Sequence, residues 1–166
     1  MVADVKIKAN TIQVVKFLKS IEKKSSNAIT ESLNRVSAYG VKQITEKTQK
    51  GILPDGRKLK PYAQSTKQSR QDRGRQLGFV DLTDTGKMFR SLDFKVGGNK
   101  SSLFFSNIER AKIASYHDSF GVGKKKIKRP FFAIGNKEED KLKQQFSKIY
   151  FSGLKIWVKE KILLVI

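Results

Sequence analysis

Apolar and polar residues alternate along this chain with two periods, and the changes of period divide it into elements. From Thr11 the apolar positions Ile12, Val15, Phe17, Leu18 and Ile21 recur at steps of three and four, which predicts an amphipathic helix. The polar run Lys23-Lys24-Ser25-Ser26-Asn27 offers a break, and a second, longer helix is expected over about 27–49. Ile29, Leu33, Val36, Gly40 and Ile44 share one of its faces, with Glu31, Arg35, Lys42 and Glu46 on the others. Gly51 is placed to end it, because helices commonly close on a left-handed residue and glycine adopts that conformation without steric cost. Ahead of these helices, Val5 and Ile7 alternate with charged residues, as in a short strand over 2–8.

Residues 51–81 carry no sustained period. Pro54-Asp55-Gly56 is a turn sequence: Pro presets φ, Asp bonds to nearby backbone, and Gly accepts positive φ. Between Arg57 and Arg75 seven basic residues meet one acid, Asp72, which predicts an extended, mobile basic loop that orders against a partner. Asp84 or Thr85 is then placed to cap a short helical turn over 87–90, with Gly86 at a tight bend.

The period next changes to two. Leu92, Phe94 and Val96 alternate with Asp93 and Lys95, Gly97-Gly98-Asn99-Lys100 forms a turn, and Leu103 and Phe105 return. About 90–107 therefore reads as an antiparallel hairpin. A short helix is expected over 108–120 with Ile113, Tyr116 and Phe120 on one side, ended by Gly121-Val122-Gly123. After Lys124-Lys125-Lys126-Ile127-Lys128-Arg129, Asn136 and Glu139 stand at capping-box spacing, with Glu138, Glu139 and Asp140 suited to the positive end of a helix dipole. Leu142, Phe146, Ile149 and Tyr150 then form the apolar face of a helix over about 137–152. Gly153 is a point of interruption. The remainder, about 154–166, is expected to form a strand or an apolar extension that buries itself on another subunit.

The predicted fold class is α+β: a small antiparallel sheet packed with the long N-terminal helix and the C-terminal helix, with long basic loops, in one domain over 1–166. A chain of 166 residues is long enough to bury roughly two-thirds of its unfolded surface. Hydrophobic residues make up 38% of it and charged residues 30%, which separates it from disordered compositions. The first residues lack the apolar core of a signal peptide, and the terminal apolar run Ile162–Ile166 falls far short of the about 20 residues a membrane span needs. No membrane contact is expected.

Charge changes the picture most. There are 35 Lys and Arg against 15 Asp and Glu, a net charge of +20, spread over both halves of the chain. A field of that sign favours nucleic acid, an acidic protein surface or anionic lipid. The exposed candidates for a polyanion are Arg70, Arg73 and Arg75 in the first basic stretch, and Lys124, Lys125, Lys126 and Lys128 in the second. A solvated loop is the plainer reading of the lysine run.

Candidate chemistry is sparse. The absence of cysteine excludes disulfides, thiolate zinc sites and thiol nucleophiles. His117 is the sole imidazole, and Ser115 and Ser119 beside it lack a nucleophile-elbow pattern. A metal-dependent nuclease would need carboxylates gathered on strands to hold Mg²⁺. Asp55 lies in a turn, and Glu22 and Glu160 cannot be placed beside it. Gly97-Gly98 and Gly121-x-Gly123 lack the residues that complete a nucleotide loop. The expectation is a non-enzymatic protein with no cofactor and no metal.

Four blocks nevertheless stand in a fixed order: Pro54–Pro61 followed by Thr66, Leu82–Leu92, Tyr116–Gly121, and Arg129-Pro130-Phe131-Phe132. Together, over about 28–150, they resemble the tail-completion or virion-morphogenesis proteins of tailed bacteriophages, which act at the neck, where head joins tail. The pattern departs from that family at Leu59, where Trp is usual, and at Ile127 and Lys128, where a Pro precedes the last block. The resemblance implies a homo-oligomeric ring, six-fold, contacting connector and tail-tube or terminator proteins and packaged DNA, in a virion assembled from subunits made in the host cytoplasm. It further implies that Thr85, Gly86 and Ser91, then His117, Phe120 and Gly121, then Arg129, Pro130 and Phe131 lie at contacts between subunits. A free nucleic-acid-binding protein is the competing reading, with a nuclease behind it.

Overall fold

The computed structural model describes residues 11–163, and the side chains of 15–155. Helix α1 (Thr11–Gln49) leads, followed by α2 (Gln64–Asp72) and the single turn α3 (Lys87–Arg90). The hairpin β1 (Leu92–Gly97) and β2 (Lys100–Phe105) comes next, then α4 (Ile108–Ser115), a π turn over Tyr116–Phe120, and α5 (Asn136–Leu163). This is the α+β arrangement expected, a long N-terminal helix and a C-terminal helix around a two-stranded antiparallel sheet. The strand expected over 2–8 lies outside the described residues.

Helix α1 departs from expectation by being continuous over 39 residues, about 58 Å at 1.5 Å per residue. The polar run 23–27 contains neither Pro nor Gly, and Lys is a good helix former. Tertiary contacts hold the run helical: Ser25 Oγ lies 3.0 Å from Tyr150 Oη of α5. Small residues make this seam, with Ser32 fully buried and Ala28 nearly so. Ser32 and Thr48 return their hydroxyls to the carbonyls of Ala28 and Ile44, each at 2.7 Å, which satisfies polar groups that would otherwise be costly inside. The C-terminus closes as predicted: Gly51 has φ +74, and Ile52 N–H reaches back to the Lys47 carbonyl at 2.9 Å.

Helix α5 likewise runs past the expected stop at Gly153 to Leu163. Gly153 lies against Ala28 of α1 at ordinary contact distance, so the seam spans the position where a break was expected. The strand or extension expected over 154–166 is helical through Leu163, and 164–166 lie outside the described residues. At its start the Gly135 carbonyl takes the Glu139 N–H at 2.9 Å. Glu138 is drawn instead to Lys47 at 2.7 Å.

The hairpin has the predicted alternation. Leu92 pairs with Phe105, Phe94 with Leu103 and Val96 with Ser101, and Ser37 of α1 meets Ser101 across this inner face at 2.5 Å. Gly98 supplies, with φ +57, the positive φ that a two-residue hairpin loop requires. The core joins Ile44 of α1 to Leu53, Leu59, Val80, Leu82, Met88, Phe89, Leu92, Ala114 and Phe131, with Val41, Tyr62, Phe105, Phe132 and Ile134 packed against it. Half of this core comes from segments outside the helices and strands.

Candidate functional site

The segment 51–81 is not the mobile loop that its composition predicts. Helix α2 occupies its middle, and Arg70, only 3% exposed, fastens it. Arg70 Nη2 donates to Asp81 Oδ2 at 3.1 Å, Nη1 to the Thr83 carbonyl at 2.9 Å, and Nε to the Gln76 carbonyl at 3.2 Å. Its guanidinium also lies 4.8 Å from the centre of the Tyr62 ring, and that of Arg129 lies 5.5 Å from it. Tyr62 Oη donates to Asp81 Oδ1 at 3.1 Å and accepts the Leu82 N–H at 3.1 Å. A buried guanidinium is costly unless its donors are used, and Arg70 spends them on a carboxylate and two backbone carbonyls.

The charges respond accordingly. Burial opposes ionisation of Asp81, but the Gln76 amide, the Thr83 N–H and the Arg70 guanidinium outweigh it and hold the carboxyl below its usual range. Burial, then the Asp81 charge, raises the Tyr62 phenol. Arg129 is also buried, which lowers its pKa; guanidinium remains protonated in proteins. Its Nε and Nη2 donate to the carbonyls of Lys60 and Pro61, each at 2.9 Å.

A second set of bonds closes the loop between α4 and α5. The Arg129 N–H reaches the His117 carbonyl at 2.7 Å, and one oxygen of Asp118 accepts the N–H groups of both Phe131 and Phe132 at 2.9 Å. Within that closure Val122 and Ile127 exchange N–H···O bonds of 3.1 and 3.0 Å, so the lysine run folds back as a tight turn. A Cβ on Gly121 would collide with the Lys126 carbonyl, and Gly121 has φ +88; this position requires glycine. His117 Nδ1 is buried with no hydrogen-bond partner among the described residues. Burial first, and then the Arg129 charge, lowers the His117 pKa from 6.5.

These contacts relocate several predicted site residues. Arg70 faces Asp81 inside the fold, so it is not available to a polyanion, and exposed Arg73 is paired with Asp84 at 2.7 Å. Arg75, Lys124, Lys125, Lys126 and Lys128 are exposed as expected. Among the residues assigned to subunit contacts, Ser91, Arg129 and Phe131 are 8%, 3% and 1% exposed and are held within the protomer. Phe131 packs edge-on against Phe89 at 5.9 Å, and Ser91 Oγ donates to the Met88 carbonyl at 2.7 Å. Pro130, Phe120 and Thr85 remain at the surface, while Gly86, His117 and Gly121 are half-buried. His117, Thr85, Gly86, Lys87 and Arg110 line one shallow cleft beside α3. Asp55 is bound to Arg57 at 2.6 Å on its exposed turn.

Sequence reasoning missed Tyr62, Asp81 and Asp118, the residues that tie the blocks together. The available sign was scarcity: in a chain this basic, an acid inside an apolar or aromatic block is placed to meet particular donors. Among the described residues no His, Asp and Glu side chains gather in a group of three that could hold a metal ion, and no helix is long and apolar enough to cross a membrane. Comparison with protein-family models, with curated proteins and with solved structures finds no match for this chain.

Proposed function

We propose that this chain is a structural, non-enzymatic subunit of a tailed-phage virion, acting as one member of a homo-oligomeric ring that completes the tail end or joins tail to head. The observation that carries the reading is the exposure of large apolar side chains away from the core. On the N-terminal part of α1, Val15, Leu18 and Ile21 are 44%, 57% and 37% exposed, although the same helix continues into the body. Contiguous apolar surface of this kind marks a contact with another macromolecule. A further support is that the four sequence blocks meet: the Arg129 block bonds the Lys60-Pro61 block, Tyr62 reaches Leu82, and Asp118 holds Phe131. Blocks that interlock in this way keep their order and spacing for a structural reason.

In this reading the exposed stripe of α1 meets a second copy, and the ring in turn meets connector and tail-tube or terminator proteins in the virion. The test is the native mass of the purified chain beside that of Leu18→Asp. An oligomer that the substitution reduces to monomers, with helicity unchanged, is the expected result. A monomer at every concentration, or an oligomer indifferent to Leu18, would overturn the assembly by this stripe.

A further inference from the structure

We propose that the turn bearing Lys124, Lys125, Lys126 and Lys128, with the rings of Tyr116 and Phe120 at its base, is a binding surface for single-stranded nucleic acid. This inference is independent of the ring assembly and concerns a different face of the chain.

A run of like charges costs least when it is free to extend. Here the backbone does the opposite. The His117–Arg129 bond closes the loop, the Val122–Ile127 pair narrows it, and the Lys126 N–H closes the tip on the Gly123 carbonyl at 3.0 Å. Lys126 itself is held at φ +42, a left-handed conformation that a non-glycine residue adopts only under constraint and that is concentrated at functional sites. The four lysines are all exposed, and none forms an ion pair among the described residues, whereas Lys42, Lys47, Lys112 and Lys143 each do. Four unneutralised amines are thus presented together on a preformed turn.

Two exposed rings complete the surface. The π turn carries Tyr116 and Phe120, which are 54% and 65% exposed and lie 6.1 Å apart at 58°. The Gly121 N–H, bonded to the Tyr116 carbonyl at 2.7 Å, joins this turn directly to the lysine turn. Amines for a phosphate backbone and open π-faces for bases are the combination that binds single strands with little sequence preference. A duplex keeps its base faces stacked away from such rings, and an acidic polypeptide would match the lysines while offering nothing the paired rings specifically select.

The test measures fluorescence polarisation of a labelled oligothymidylate on the full chain, against a duplex of equal length and with poly-L-glutamate as competitor. For contacts to four phosphates the salt slope on a single strand is roughly −3. Lys124→Ser with Lys125→Ser should reduce its magnitude by about 1.4, and Lys148→Ser with Lys155→Ser, equal in charge but on α5, should change it less. Tyr116→Ala with Phe120→Ala should weaken oligothymidylate binding by roughly five-fold or more and duplex binding little. No binding at low salt overturns the proposal. So does equal affinity for duplex and single strand without dependence on the rings, competition by poly-L-glutamate as strong as by unlabelled oligothymidylate, or an equal loss from the α5 substitutions.

Discussion

Asp118 accepts the backbone N–H of Phe131 at 2.9 Å and, through the same oxygen, that of Phe132. One carboxylate thereby fixes both the end of the π turn and the aromatic pair that enters the core. Asp118→Ala leaves two N–H groups without their acceptor, one of them on the most deeply buried Phe. A loss of roughly 1–3 kcal/mol follows, read as a lowered urea midpoint. Asp118→Asn keeps an acceptor oxygen and should recover most of it. Equal stability of all three proteins would show that the carboxylate does not hold the loop.

Arg70 and Arg73, both in the first basic stretch, should separate sharply. Arg70→Ala leaves Asp81 buried without its cation, and breaking a buried pair costs about 3–5 kcal/mol. Arg73→Ala removes a pair whose side chains are 48% and 50% exposed, and exposed pairs contribute about 0–1 kcal/mol. Thermal unfolding of the two variants checks the difference. Similar midpoints would return Arg70 to the surface role that its sequence context suggested.

His117 gives stability a particular pH dependence. Burial, with Arg129 nearby, lowers its pKa in the folded chain from 6.5, so the unfolded chain binds the proton first. The stabilisation is complete above that value and is lost as pH falls through the folded pKa. Asp81 and Glu138, lowered from 3.8 and 4.5, lose theirs only at more acidic pH. His117→Gln should therefore flatten the urea midpoint just below pH 6.5 while leaving the later acid limb. An unchanged profile would mean that the imidazole charges freely in the folded state.

How much of this was legible follows from where the information sits. The hairpin and the Gly51 cap were read correctly because alternation and a left-handed glycine are local properties. The continuity of α1 was not, since Lys23 to Asn27 looks like a break until Tyr150 of α5 is set against Ser25. Likewise seven basic residues around one acid read as a mobile loop, because nothing local shows that Asp81, eleven residues beyond Arg70, completes a buried pair. The exposed lysine turn was legible as charge, but its closure by Asp118 was not.

Gly153 offers a direct check on the uninterrupted α5. A methyl group there would meet Ala28 Cβ at 3.7 Å, an ordinary contact, while Gly→Ala within a helix gains up to about 1 kcal/mol. Gly153→Ala should raise the melting temperature slightly and increase helicity. A destabilised variant would mean that the helix bends or ends at this residue.

The proposed role requires that the chain be part of a particle. Purified virions should contain it in a fixed number of copies, and a cryo-EM map of the head–tail joint and tail end should place those copies in one ring with the α1 stripes at the contacts between neighbours. A chain found only free in infected cells, absent from infectious particles, would contradict the proposed role.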